Sequence, residues 1–106
     1  MDFELNETQA LIVKSAREYV ERAVKPVAAE LDREARFPLE QLRGLAELGL
    51  MGVNVPAELG GAEAGVVAYA LAMMEVARGC ASTAVTMAVT NMVGEVITSF
   101  GSAEQR

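Results

Sequence analysis

The side chains of this 106-residue chain that could do chemistry are few, and their spacing excludes more than it permits. Histidine is absent, so Ser-His-Asp and Cys-His relays and histidine metal sites cannot form within the chain. The single cysteine, Cys80, has no CxxC partner and cannot make an internal disulfide. Carboxylates gather at Glu18 and Glu21 and again at Glu30, Asp32 and Glu34, but Arg17, Arg22, Arg33 and Arg36 are interleaved with them. Alternating charge of this kind reads as a solvated face, not as a metal set or an acid–base pair. Gly60-Gly61-Ala62-Glu63-Ala64-Gly65 is glycine-rich without GxGxxG spacing or a Walker lysine, and reads as a tight structural loop.

Two features are less easily dismissed. Glu75 is the only charged residue between positions 66 and 77, so it is either paired inside the domain, the preferred reading, or directed at something outside it. Further on, Ala84, Ala88 and Asn91 form one line at helical spacing, Val85, Val89 and Met92 form the line beside it, and Thr83, Thr86 and Thr90 make a third. Small residues next to an apolar ridge allow close approach, so such a helix either packs centrally or walls a slot for an alkyl group.

The elements that must position these residues are helical. The chain is 52% hydrophobic, dominated by Ala, Val, Leu and Met, with few aromatics. Asn6 and Gln9 form a capping box with Leu5 as one half of a staple, and Leu11, Ile12, Ala16, Tyr19, Val20 and Ala23 recur on one face of the helix that follows. Pro26 is expected to end that helix or begin a second over 27–35. After Phe37-Pro38 a third covers 39–48, with Gly49 as its left-handed terminator, followed by an extended segment over 50–55. The loop over 56–65 leads to a fourth helix ending at Arg78 with Gly79 as terminator, and Ser82 is expected to cap a fifth running to about 99. Ser102 and Gln105 make another capping box, the start of a sixth helix, which implies that the polypeptide continues into a further segment.

Charge limits the partners. The net charge is −6, the isoelectric point is near 4.6 and there are two lysines, Lys14 and Lys25, so no basic stripe exists for nucleic acid. The lone thiol fits a reducing compartment, the bacterial cytoplasm or the mitochondrial matrix. The acidic start, Met1-Asp2-Phe3-Glu4, is unlike a secretory signal, and the charge-free stretches 66–74 and 80–94 are too short to span a membrane.

The run Met74-Glu75-Val76-Ala77-Arg78-Gly79-Cys80-Ala81-Ser82-Thr83 resembles the joint between two helices in the N-terminal domain of acyl-CoA dehydrogenases. The resemblance extends, in order, to Val24-Lys25-Pro26-Val27-Ala28, Ala35-Arg36-Phe37-Pro38, Leu45-Ala46-Glu47-Leu48-Gly49-Leu50-Met51-Gly52, Val55-Pro56, Leu59-Gly60-Gly61 and Phe100-Gly101-Ser102-Ala103-Glu104-Gln105, and so covers essentially the whole chain. It implies a single all-α domain over 1–106, of up-down or orthogonal helices, about five plus the start of a sixth. It also implies a longer flavoenzyme, with an FAD-binding middle domain and a C-terminal helical domain, assembled as a homotetramer or homodimer.

The activity implied is α,β-dehydrogenation of acyl-CoA thioesters, with electrons passed to an electron-transferring flavoprotein. The catalytic glutamate lies in the family's C-terminal domain, so Glu75 is not assigned that role, and no catalytic or FAD-contacting residue is placed here. What the resemblance carries over is the acyl-pocket wall, onto Ala84, Val85, Ala88, Val89 and Met92. The sequence departs from the family at Ala62-Glu63-Ala64-Gly65, near the pocket mouth by analogy, and short or medium acyl groups are expected. The alternatives are the same fold in an acyl-CoA oxidase, nitroalkane oxidase or flavin monooxygenase, and a stand-alone helical interaction module.

Overall fold

The computed structural model describes residues 2–106; Met1, included in the expected domain, lies outside them. The described residues are helical with no strand: α1 spans Glu7–Tyr19, α2 Ala28–Glu34, α3 Leu39–Glu47, α4 Val66–Gly79 and α5 Ala81–Phe100. The helices pack as a slab of 41 × 37 × 21 Å. Its thin dimension equals about two helix diameters, so every helix keeps an outer face. One core runs through it, including Tyr19, Val20, Val24, Leu42, Leu45, Leu50, Val53, Val76 and Met87. Each such aliphatic side chain contributes on the order of 1.5–3 kcal/mol by leaving water.

The start of α1 forms as its sequence dictates. Asn6 Oδ1 accepts from Gln9 N at 2.8 Å and Gln9 Oε1 from Asn6 N at 3.0 Å, the reciprocal box that satisfies two otherwise orphaned donors. Leu5, the expected staple, stays exposed. Pro26 stands in the first turn of a new helical stretch and α2 follows at Ala28, the second of the two alternatives expected, but no gap separates it from α1. The helix passes through a π turn over Val20–Val24, in which Lys25 N–H reaches back to Val20 O, and then a 3-10 turn over Lys25–Val27 before α2. The wider and then tighter turns carry the chain past the N–H that proline lacks. Residues 7–34 therefore make one unbroken helical rod, and among the described residues there are four rods longer than a single turn where about five helices and the start of a sixth were expected.

Other ends follow expectation in part. After α3, Leu50 N donates to Leu45 O and Gly49 N to Ala46 O, both at 3.0 Å, with Gly49 at φ +80°, a Schellman ending. The segment 50–55, expected to be extended, is a series of turns, and Ala62 N and Ala64 N donate back to Gly52 O and Val53 O. Ser82 does not cap α5; Cys80, extended at φ −162°, holds that position, and its Sγ lies 3.3 Å from Ser82 Oγ. At 102–105 the capping bonds form, Ser102 N to Gln105 Oε1 at 2.9 Å and Gln105 N to Ser102 Oγ at 3.2 Å, around a turn and not a helix.

Gly79 has a different purpose from the terminator expected. It is the last helical residue of α4, its backbone is not left-handed, and a Cβ there would overlap Val20 Cγ1 on the π turn. Absence of a side chain lets the two rods touch. Gly79→Ala is therefore expected to lower stability by about 1–3 kcal/mol through overpacking, despite alanine's better helix propensity. Urea unfolding of Gly79→Ala, Val20→Ala and the double variant checks this: the double variant should be less destabilised than the sum of the singles, and simple additivity would remove the contact from the explanation.

Candidate functional site

The carboxylate clusters resolve in part into ion pairs, made by Glu21, Glu30 and Glu34. Arg36 bridges Glu30 at 3.4 Å and Glu34 at 3.2 Å, capping the end of α2, where Ala35 turns left-handed at φ 51°. Glu21 accepts from Arg78 at 2.6 Å and lies 3.8 Å from Lys25. Among the described residues no group of three His, Cys, Asp or Glu side chains could hold a metal ion. No described helix is long and apolar enough to cross a membrane.

Glu75 is paired. It is 8% exposed; its Oε1 accepts from Arg17 at 2.7 and 3.2 Å, and its Oε2 from Arg78 at 3.3 Å. Arg17 belongs to α1 and Arg78 to α4, so the carboxylate joins the two rods beside the Gly79 contact. The hydrogen bond from Arg17, opposed by burial and assisted by Arg78, holds the Glu75 carboxyl below its ordinary value. A carboxylate committed to two guanidinium groups is held as a structural anion, unlike a free proton-abstracting base. The partnership was invisible in the sequence, since Arg17 lies 58 positions away.

The glycine loop is likewise structural. Gly61 N donates to Pro56 O at 3.1 Å, Glu63 N donates to Val55 O at 3.1 Å, and Glu63 Oε1 accepts from Ala57 N at 3.3 Å. These backbone groups are spent within the loop, so they do not form a cradle for a phosphate or a flavin.

Helix α5 carries the remaining candidates and separates them by face. Ala84, with Thr83, Met87 and Asn91, is buried in the domain. Ala88 is half-buried on the flank, and Val85, Val89 and Met92 point out, 61%, 49% and 56% exposed. The outward line continues through Val93, Val96 and Phe100, all exposed. Five positions that the spacing grouped into two adjoining lines therefore comprise one core residue, one flank residue and three members of an uncovered apolar ridge. Thr86 and Thr90 hydroxyls bond the carbonyls of Ser82 and Thr86 at 3.0 Å, which removes them as free polar groups.

Asn91 was read only as a small residue beside Ala84 and Ala88. It is 2% exposed and makes three bonds: Oδ1 accepts from Val53 N at 2.7 Å, and Nδ2 donates to Leu50 O at 3.0 Å and Met87 O at 2.9 Å. It ties the turns after α3 to the middle of α5. An amide within an apolar helix, on the same face as Ala84 and Met87, was the available signal.

This geometry defines a helical domain with a paired interior and one apolar helix face left uncovered. Residues 6–106 match the family described as "Acyl-CoA dehydrogenase, N-terminal domain". The short-chain specific acyl-CoA dehydrogenase of Bos taurus mitochondria is 45% identical over 105 residues, 97% of this chain and 25% of that protein. Butyryl-CoA dehydrogenase from Megasphaera elsdenii superposes with a TM-score of 0.89 at 30% identity, over 99% of this chain and 28% of that one. A structure described as the electron transferring flavoprotein of Acidaminococcus fermentans superposes at 0.90 with 29% identity, again over 99% and 28%. The chain belongs to the acyl-CoA dehydrogenase N-terminal domain family. It spans about a quarter of the length of the curated relatives it matches.

The depressed carboxyl of Glu75 has a testable consequence. A carboxylate whose folded pKa lies below its unfolded value, ~4.3 for Glu, contributes stability that is complete above the unfolded value and is lost as pH falls through the folded one. Wild type should therefore exceed Glu75→Gln in urea midpoint most clearly near neutral pH, with the gap closing below about pH 4. Parallel profiles for the two proteins down to strong acid would show that Glu75 is not the group responsible.

Proposed function

We propose that this chain is the single N-terminal helical domain of an FAD-dependent acyl-CoA dehydrogenase, and that α5 supplies one wall of its acyl-chain pocket. The observation that carries this reading is the uncovered ridge of Val85, Val89 and Met92 on a helix of a domain belonging to that family. On this reading Val85, Ala88, Val89 and Met92 face the acyl chain, and Ala84, turned inward, sets how closely the helix packs on the core.

The chemistry of such a wall is exclusion and alignment. Apolar side chains remove water from around an alkyl chain and fix where its reacting carbons lie, while the small Ala88 leaves depth that a bulkier residue would fill. Two features of this chain that could suggest a flavin site do not make one: Gly60 and Gly61 are committed to the loop's own hydrogen bonds, and Glu75 to two arginines. FAD and the proton-abstracting glutamate accordingly belong to the middle and C-terminal domains of the whole polypeptide. The substrate class is a short acyl-CoA, supported by the short-chain and butyryl-CoA specificities in the names of the relatives. Electron-transferring flavoprotein is the proposed acceptor, the assembly a homotetramer or homodimer, and the compartment the bacterial cytoplasm or mitochondrial matrix.

The full-length polypeptide is expected to be yellow and to reduce an artificial electron acceptor anaerobically when given butyryl-CoA. A colourless protein inert towards acyl-CoA would sink the proposal, and oxygen consumption without an added acceptor would move it to the oxidase reading. Within the active enzyme, Ala88→Phe should depress kcat/KM for octanoyl-CoA at least about tenfold more than for butyryl-CoA. Equal losses for both substrates would remove Ala88 from the pocket.

A further inference from the structure

Along α5 the buried residues are Thr83, Ala84, Met87 and Asn91, and beyond Asn91 none is buried. Asn91 is thus the last point at which the domain grips the helix. Among the described residues it is also the one α5 side chain that hydrogen-bonds another element, through Val53 N and Leu50 O. Its third bond, to Met87 O one turn back, fixes the amide's own rotamer, so the grip is directional. Gly94 adds close approach without adhesion: a Cβ there would stand 3.0 Å from Val55 Cγ2, on the same stretch of turns. Val89 and Met92 flank the anchor in sequence, and the second half of α5 has no other polar tether.

We infer that Asn91 is a positioning residue for the acyl wall: by clamping the turn at residues 50–53 to the middle of α5, it sets where Val89 and Met92 stand and so which acyl lengths fit. This rests on the reading of α5 as that wall. It assigns Asn91 no contact with substrate.

The test uses the full-length enzyme and four proteins: wild type, Asn91→Ala, Asn91→Asp and, as a destabilised control from the buried π turn, Val24→Ala. Two quantities are read at a temperature where each is folded: the ratio of kcat/KM for octanoyl-CoA over butyryl-CoA, and amide hydrogen exchange over 92–100. Asn91→Ala is expected to change the ratio about threefold or more and to speed exchange over 92–100, whereas Val24→Ala moves neither. Asn91→Asp keeps an acceptor for Val53 N but sets its second carboxyl oxygen against Leu50 O and Met87 O, and should change the ratio at least as much as Asn91→Ala.

An unchanged ratio in Asn91→Ala overturns the inference, even with faster exchange, because the residue is then merely structural. If Asn91→Ala does not fold, the Asp variant and the wild-type Val53 amide decide. An unchanged ratio in Asn91→Asp, or a Val53 amide that exchanges freely, overturns it. If the wild-type protein turns over neither acyl-CoA, it is the wall reading that has failed, and with it the substrate half of this inference.

Discussion

The packing of the long rod on α4 depends on one close approach, that of the π turn over Val20–Val24 to Gly79 at the end of α4. Dispersion and apolar burial reward such contact only when no atom intrudes, and here the spacing leaves no room for a single methyl group. The charged residues at the edge complete it. Arg17, Glu75, Arg78 and Glu21 alternate in sign around the contact, so the carboxylate that packing buries is never left without a partner. With the long rod and α4 held together, α5 is carried in by its short connection at Cys80.

A slab two helices thick cannot surround any of its members, which explains why so apolar a chain leaves so many large side chains in water. In a protein of this composition the outward ridge on α5 is costly unless another surface removes it from solvent. The ridge lies on the helix whose inner face is already committed to the core, and on the proposed reading it is the face that walls an acyl pocket. Structural work, performed by glycines, ion pairs and one amide, is thereby separated from the exposed apolar face.

How much of this was legible in advance depended on whether the signal was local. The capping boxes at Asn6 and Ser102 and the left-handed Gly49 were read correctly because cap chemistry is complete within a few residues. The π turn ahead of Pro26 was not, since it relocates hydrogen bonds without altering composition, although the short helix after the proline was. Gly79 resembled a terminator because glycine after a helical run usually is one, whereas its value here lies in a neighbour 59 positions earlier. For the candidate wall, the family resemblance grouped Ala84 with Val85, Ala88, Val89 and Met92, whereas spacing set Ala84 in a separate line with Ala88 and Asn91 and packing shows that it faces the core. Asn91 was seen as small when its significance is that it is polar.

The tether at Asn91 also makes the far half of α5 a lever. Nine residues from Met92 to Phe100 extend beyond the fulcrum, about 13 Å at helical rise, so a tilt of ~10° at the amide would carry the tip roughly 2 Å. The first turn past the pivot would shift by only a fraction of that. Any bend of the helix past the amide would therefore displace Phe100 most and leave Val89 and Met92 nearly in place.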